Sequence, residues 1–164
     1  MNALQDLYPD DYAHCYGCGR LNSQGLHVKS EWDREGKVGG AVARFTPAEY
    51  HLAMPGFVYG GLLASLIDCH AMATAAGASM VAAGLTPGKD PTPRFVTASL
   101  QVDFARPTPA GKQLVLRGEP AQVSDRKVVV QVQVSADGVE CVRGRVIAVR
   151  LPDSMAAAID RSGA

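Results

Sequence analysis

The chain has 164 residues, of which 47% are hydrophobic, and its 16 basic residues balance its 16 acidic ones. A chain of this length predicts one domain, residues 1–164, that buries enough surface to fold without a disulfide or a metal ion. The zero net charge argues against a nucleic-acid partner, because phosphate binding normally requires a clustered basic excess.

The first half of the chain predicts a hairpin followed by one long helix. In order, we expect an irregular segment over 1–25, strands over 26–32 and 38–45 with a turn at Gly36, and a second irregular segment over 46–59. From Gly60 to about Gly84 the chain contains no proline and is apolar nearly all round, which indicates a helix buried on every side. An acid at mid-bilayer costs at least ~2.5 kcal/mol. Because Asp68 lies within this run, we expect a buried helix rather than a membrane span.

The second half of the chain predicts an antiparallel sheet. The expected strands are 96–104, 113–124, 127–136 and 139–151, with a short helix in the tail over 152–164. Asp137-Gly138 is a two-residue hairpin signal between the last two strands. Polar and apolar residues alternate along the first of these strands, which places Thr97 and Ser99 on one face. The order β-β-α-β-β-β-β indicates an α+β fold in which the sheet curls around the helix, or a second subunit covers the helix.

Two features of the predicted helix point to chemistry. A buried carboxylate without partners costs several kcal/mol, so Asp68 is either a paired structural acid or a working group at a cleft. Gly60-Gly61 lies where the loop becomes helix, and it is either a plain helix cap or a set of N–H groups suited to an oxyanion. Gly60 and Asp68 are about 12 Å apart along the helix. A two-fold dimer brings Gly60 of one chain to face Asp68 of the other.

The segment from Tyr59 to Asp68, YGGLLASLID, resembles a motif of hotdog-fold acyl-CoA thioesterases of the phenylacetate-degradation type. That motif is His-Gly-Gly, four variable residues, then Leu-Ala-Asp. Two further stretches are similar to the family, namely 100–107 (LQVDFARP) with Gly111, and 15–19 (CYGCG) with Asn22 and Gly25-Leu26. The resemblance covers residues 14–150. It implies a hotdog fold, an antiparallel sheet curled around one long central helix, and hydrolysis of a small or medium acyl-CoA.

The resemblance implies roles for three residues. Asp68 is a general base or nucleophile toward the thioester carbonyl, the backbone N–H of Gly60 from a partner subunit polarises that carbonyl, and the Thr97 hydroxyl orients the water or the acid. A thioester releases a thiol of pKa ~8.5, so the leaving group needs little protonation. A base and an oxyanion hole therefore suffice, and we expect no cofactor beyond the coenzyme A of the substrate. The expected partners are an acyl-CoA and further copies of this chain, as a dimer or a tetramer.

The chain departs from the family motif at two positions. Tyr59 stands where the family has His, and Ala53 stands where many members have Asn near the carbonyl. His51 and Tyr59 are candidates to compensate, and with Gly61 they form the predicted substrate-binding set near the helix start. A hotdog protein that binds acyl-CoA without turnover is the alternative function. A dehydratase of the same fold is disfavoured, because those enzymes present a His base.

Three polar residues elsewhere are further substrate-binding candidates. Ser65 lies one turn before Asp68 and within reach of it, although a small residue that permits close helix packing is the commoner role. Arg126 and Arg145 are candidates for the phosphates of coenzyme A, with a solvated surface as the alternative.

The cysteines and the histidine after Asp68 have plainer interpretations. Cys15 and Cys18 form a C-x-x-C, but a zinc site needs about four ligands and no second C-x-x-C is present. We therefore expect free thiols in a packed loop and no metal. The N-terminus has neither a basic nor an apolar signal segment, so a cytoplasmic protein with reduced thiols is expected. Cys69 and His70 do not form a triad with Asp68, because adjacent helix positions point in different directions, and His70 is expected in the core or an interface.

Overall fold

A long helix packed against an antiparallel sheet dominates the computed structural model, which describes residues 3–33, 36 and 38–162. In chain order the elements are 3-10 turns at Leu4–Leu7 and Asp10–Tyr12, strands β1 (Ser30–Trp32), β2 (Ala41–Phe45), β3 (Leu52–Met54) and β4 (Phe57–Val58), helix α1 (Gly60–Ala82), strands β5 (Phe95–Phe104), β6 (Leu114–Val123), β7 (Lys127–Ala136) and β8 (Val139–Arg150), and helix α2 (Asp153–Ser162). Within the described residues the main sheet has the order β1-β2-β6-β7-β8-β5, and β3 pairs with β4 in a separate ribbon. The predicted α+β architecture is confirmed.

The predicted helix and the last four predicted strands match the structure to within about two residues at each end. The turn between β7 and β8 is the expected Asp-Gly turn, with φ values of 49° at Asp137 and 78° at Gly138. This left-handed backbone favours Gly and tolerates Asp, which is why the dipeptide predicts the hairpin. The predicted tail helix is also present, although residues 163 and 164 lie outside the described residues, as do residues 1 and 2 of the irregular segment.

The first hairpin is shorter than predicted. The strand predicted over 26–32 begins only at Ser30, because Leu26 and Val28 donate their N–H groups to loop carbonyls instead of a neighbouring strand. These hydrogen bonds go to Tyr16 (2.7 Å) and Gly17 (2.9 Å). The short strands β3 and β4 also occur in the segment predicted to be irregular. Pro55 and Gly56, which has a positive φ, lie between these two strands. Both residues are typical of irregular segments, so the sequence pattern does not predict the strand pair.

Helix α1 is the centre of the core. Leu66, Ile67 and Met80 are completely buried, and the sheet approaches the helix most closely at glycines. A Cβ atom at Gly144 would lie 2.5 Å from Ile67 Cγ2, which is far inside van der Waals contact. By length and composition α1 could cross a membrane, but 72% of its most apolar window is buried inside the fold. The helix therefore serves here as a core helix, as predicted.

The N-terminal segment, residues 3–33, covers the second half of α1. Trp32 and Leu4 pack where Gly77 leaves room, since a Cβ there would lie 2.9 Å from the indole of Trp32. In the first half of the helix a stripe of half-buried residues stays open, and it consists of Gly60, Gly61, Ala64, Ser65, Asp68 and Met72. The predicted all-round burial thus applies only to residues 73–80. The open stripe, as we call it below, contains the Gly-Gly pair and Asp68.

Replacing Gly144 with Ala tests the close contact between β8 and α1. The added methyl group collides with Ile67, so we expect a loss of about 1–3 kcal/mol in the free energy of unfolding. Denaturant titration followed by circular dichroism measures this loss. Gln131→Ala, on the exposed face of β7, is the control and should change stability by no more than about 0.5 kcal/mol. Equal stabilities for the two variants would contradict this packing.

Candidate active site

Asp68 lies on the open stripe and is held by the neighbouring edge strand. The Thr97 hydroxyl of β5 donates a hydrogen bond to Asp68 Oδ1. The two residues are 29 positions apart in the sequence, so the contact is made by packing and not by local structure. Sequence reasoning placed both in the site, and the structure brings them together.

Thr97 reaches Asp68 because the strand contains an irregularity. Thr97 pairs with Ala148 and Ser99 pairs with Ile147, so Ala98 is an extra residue in β5. Such a bulge shifts the alternation by one position and re-aims the side chains. Thr97 consequently shares the helix-facing side with Ala148, while Ser99 points to the outer side with Ile147. The prediction that Thr97 and Ser99 share one face is therefore wrong.

The surroundings of Asp68 change its acidity in opposing directions. Burial raises the pKa of the carboxyl, the hydrogen bond from Thr97 lowers it, and the nearby Cys15 raises it. The net effect is a pKa above the usual value for Asp. A carboxylate of this kind is a stronger base than an exposed one, while the Thr97 hydroxyl fixes its orientation.

The helix N-terminus forms the second part of the site. Gly60 and Gly61 open α1, whose first-turn N–H groups have no carbonyl partner in the helix. The ring of Tyr59 occupies the space over Gly61, since a Cβ there would lie 2.4 Å from Tyr59 Cε1. Tyr59 is itself 57% exposed. A side chain larger than that of Gly at position 60 or 61 would collide with Phe104 or Tyr59 and cover the backbone N–H groups.

Gly60 and Asp68 are not brought together within the chain. They are separated by eight helix positions, or about 12 Å along the axis. Both lie on the open stripe and are accessible from the same side. A group from outside the chain is needed to meet both.

The other residues predicted at the helix start take part in local structure. His51 Nδ1 accepts a hydrogen bond from the Ala48 N–H (3.0 Å), and the His51 carbonyl accepts one from the Tyr59 N–H (2.9 Å). His51 therefore shapes the loop that leads into α1. The Ser65 hydroxyl donates a hydrogen bond to the Gly61 carbonyl (2.9 Å), one turn earlier, as serines within helices commonly do. This hydrogen bond goes to the backbone and not to Asp68.

An apolar groove of about 480 Å³ begins at the helix start. Its walls come from the β3–β4 ribbon, the first turn of α1 and the end of β5, and include Ala53, Met54, Phe57, Gly60, Leu63 and Phe104. Sequence reasoning placed only Gly60 and Ala53 near the carbonyl. Met54 and Phe57 were missed because the ribbon was predicted as irregular loop, and Leu63 and Phe104 because only packing brings the helix and the end of β5 to this groove.

The two arginines predicted to bind phosphate lie in different parts of the sheet, one within a strand and one in a turn. Arg145 lies on the outer face of β8, between Gln101 and Gln131, and therefore on the side of the sheet away from α1. Arg126 is exposed in the β6–β7 turn, where its carbonyl accepts a hydrogen bond from the Arg150 N–H (2.8 Å). Neither arginine is brought to Asp68 within this chain.

A group of three thiols lies beside Asp68. The Sγ atoms of Cys15, Cys18 and Cys69 lie within 4.8 Å of one another. Sequence reasoning paired the first two and left out Cys69, which only the packing of the N-terminal segment on α1 brings close. His70 is buried in the core, and its Nδ1 lies 2.8 Å from the Ser30 hydroxyl, which confirms the predicted core histidine.

Comparison with known proteins places this arrangement in context. A family model described as the thioesterase superfamily matches residues 55–142. Acyl-coenzyme A thioesterase THEM4 of Xenopus laevis is 31% identical over 93 residues, which are 57% of this chain and 36% of that protein. The chain thus matches about a third of the length of that relative.

Solved structures share the fold. A thioesterase superfamily protein from Shewanella loihica is 41% identical and superposes with a TM-score of 0.65, covering 88% of this chain and 100% of the other. The PaaI protein from the phenylacetic acid degradation operon of E. coli has a TM-score of 0.62 at 18% identity, covering 77% and 81%. The open stripe and the groove therefore lie in a fold that other thioesterase superfamily proteins share.

Thr97→Val tests the hydrogen bond to Asp68. Its loss removes the interaction that lowers the pKa of the carboxyl, so we expect the pKa of Asp68 to rise further. Thr97→Ser keeps the hydroxyl and should leave the pKa close to that of the unaltered protein. An NMR titration of the side-chain carboxyl carbon measures each value.

Ser99→Val is the control for the strand irregularity. Because the bulge turns Ser99 to the outer side, this variant should leave the pKa of Asp68 unchanged. A rise equal to that of Thr97→Val would contradict the register described here.

Proposed function

Because the chain belongs to the thioesterase superfamily, we propose that it hydrolyses acyl-CoA thioesters with Asp68 as the general base or nucleophile. The observation that carries the proposal is the half-buried Asp68, oriented by Thr97 on the open stripe of the central helix. The acyl-CoA thioesterase activity named for the Xenopus laevis relative supports the choice of substrate class.

The reaction needs few groups. As a base, Asp68 takes a proton from water while the hydroxide oxygen attacks the thioester carbonyl carbon. The tetrahedral oxyanion collapses, the C–S bond breaks, and the thiolate of coenzyme A takes up the proton. A thiol of pKa ~8.5 is a good leaving group, so strong acid catalysis is unnecessary. The products are a carboxylic acid and free coenzyme A.

The site is proposed to form between two chains. The carbonyl oxygen needs N–H donors, and those at Gly60 lie about 12 Å from Asp68 of the same chain. A two-fold dimer resolves this distance, because Gly60 of one chain then faces Asp68 of the other. The open stripe supports this arrangement, since it presents both residues to one side.

The edge of the sheet supports the same assembly. Strand β5 lies at the edge, and its residues from Thr97 to Gln101 are exposed on both faces. A ten-residue edge strand with free backbone groups invites pairing with another strand. Exposed apolar side chains lie beside this edge, namely Met54, Phe57, Tyr59, Leu100 and Phe104. We infer that β5 pairs with its symmetry copy in the dimer.

The groove is proposed to hold the acyl chain. Its volume of about 480 Å³ lies in the range of small-molecule sites, and its lining is mostly apolar. The space suits a small or medium acyl group whose carbonyl lies at Gly60. Arg126 and Arg145 are proposed contacts for the phosphates of coenzyme A, supported by their exposed positive charge.

Binding without turnover is the second candidate function. Tyr59 and Ala53 stand where the resembling family carries His and Asn, and Ala53 has no side-chain hydrogen-bond donor. In that case the groove and the helix N-terminus hold the ester, and Asp68 is a structural acid paired with Thr97.

Asp68→Asn separates the two candidates. Removal of the base should lower kcat by a factor of about 10²–10⁴ while the affinity for coenzyme A changes little. An acyl-CoA panel with a thiol-reactive dye gives kcat, and calorimetry gives the affinity. Asp103→Asn, which changes an exposed acid on β5, is the control and should retain full activity. Binding of the esters with no thiol release by the unaltered protein would favour the second candidate.

Leu100→Lys tests the dimer. A charge on the exposed edge strand should shift the protein to a monomer and lower thioester hydrolysis in parallel, because the proposed site draws on two chains. Light scattering coupled to size exclusion measures the mass. Val139→Lys adds a charge at another exposed apolar position, in the β7–β8 hairpin, and should leave the dimer intact. If the unaltered protein is a monomer, the proposed two-chain site is wrong.

A further inference from the structure

The thiol cluster described above supplies no reacting group in the proposed hydrolysis. Cys15 and Cys18 come from the N-terminal segment, and Cys69 comes from the middle of α1. The Sγ atoms of Cys15 and Cys69 are 3.6 Å apart, and all three sulfurs lie within 4.8 Å of one another. Thiolates at 2.3 Å from one tetrahedral zinc ion lie ~3.8 Å apart. The separation between Cys15 and Cys69 is close to that value, and the other two do not exceed 4.8 Å.

The loop that carries Cys15 and Cys18 is built to direct N–H groups at a sulfur. The thiols of Cys18 and Cys69 and the backbone N–H groups of Cys18 and Gly17 are all directed at the Cys15 sulfur. The loop is closed by the Gly19 N–H, which donates to the Cys15 carbonyl (2.8 Å). A Cβ at Gly19 would lie 2.4 Å from the Ala13 carbonyl, so only glycine fits the turn.

A second glycine lets this loop reach the helix. A Cβ at Gly17 would lie 2.2 Å from Cys69 Sγ, inside any allowed contact. The close approach of the loop to Cys69 therefore depends on the missing side chain. Leu26 and Val28 hold the loop in place through the hydrogen bonds to Tyr16 and Gly17 that shortened the first strand.

We propose that Cys15, Cys18 and Cys69 bind one zinc ion, with a water molecule in the fourth position. Thiolate ligands select zinc, copper(I) and iron–sulfur clusters, and three sulfurs around one point fit a tetrahedral ion with one open position. Cys18 and Cys69 are buried, whereas Cys15 is exposed, so the ion enters and the water lies on the Cys15 side.

Charge around the cluster supports a bound zinc ion. A zinc ion with three thiolates carries one net negative charge. The guanidinium of Arg94 supplies a positive charge close enough to act on Cys18, and it stacks on Tyr8 at 3.6 Å from the ring centroid. Binding releases the protons of the thiols that are not already ionised, and the ion then links the N-terminal segment to α1. Zinc binding can be measured without substrate, so its test does not depend on whether the proposed hydrolysis occurs.

Zinc titration of the full chain tests the site directly. The protein is reduced with a phosphine, stripped with a chelator, and titrated with zinc in competition with a chromophoric chelator. We expect one zinc per chain. Cys69→Ser should weaken binding at least tenfold, whereas Cys141→Ser, which removes a buried thiol on β8, should bind like the unaltered protein. No zinc uptake, or uptake that Cys69→Ser leaves unchanged, would overturn the proposal.

Two further measurements cover the case in which Cys69→Ser does not fold. Gly17→Ala keeps all three sulfurs but forces the loop away from Cys69, so zinc affinity should again fall at least tenfold. Cobalt(II) in place of zinc should show the intense visible bands of a tetrahedral ion and a sulfur charge-transfer band, both reduced in Cys15→Ser. A cobalt spectrum of an octahedral ion bound through oxygen, or equal zinc affinity for Gly17→Ala, would refute the site.

Discussion

The burial of an almost wholly apolar helix is the constraint on which the rest of the structure depends. Helix α1 has no polar face, so each side of it needs a cover. The sheet supplies one side and meets the helix closely at Gly144, while Trp32 and Leu4 supply the other side near Gly77. Among the described residues, the stripe along its first half and the last turn at Val81 and Ala82 are left open. The candidate site thus lies on the longer of the two parts of the helix that the described residues leave open.

An acid on that stripe is tolerable because its environment is mixed. Asp68 keeps contact with solvent and accepts a hydrogen bond from Thr97, so the cost of partial burial is offset. The same partial burial raises the pKa of the carboxyl, which increases its basicity. Stability and chemistry at this residue therefore come from the same contacts.

Much of the fold could be predicted from the sequence, because its strongest features are local. The helix lacks proline, the last strands alternate, and Asp137-Gly138 predicts its turn from backbone preference alone. The roles of Asp68 and Thr97 came from the resemblance of the helix motif to a known family. The geometry that joins these two residues could not be predicted from the sequence. The extra residue Ala98 fits the alternation of polar and apolar residues, so the bulge is not visible in the pattern.

Contacts between distant segments explain the other misses. Cys69 joins Cys15 and Cys18 only through the packing of the N-terminal segment, and no spacing rule links positions 54 residues apart. The walls of the groove depend on a ribbon of two very short strands, which carry too few residues to show a period.

The N-terminal segment also has a consequence for biosynthesis. Its residues leave the ribosome well before α1, yet their apolar contacts, such as Leu4 with Gly77, lie on that helix. These residues must therefore wait, unpacked, until most of the helix has been translated, and this cover closes late in folding.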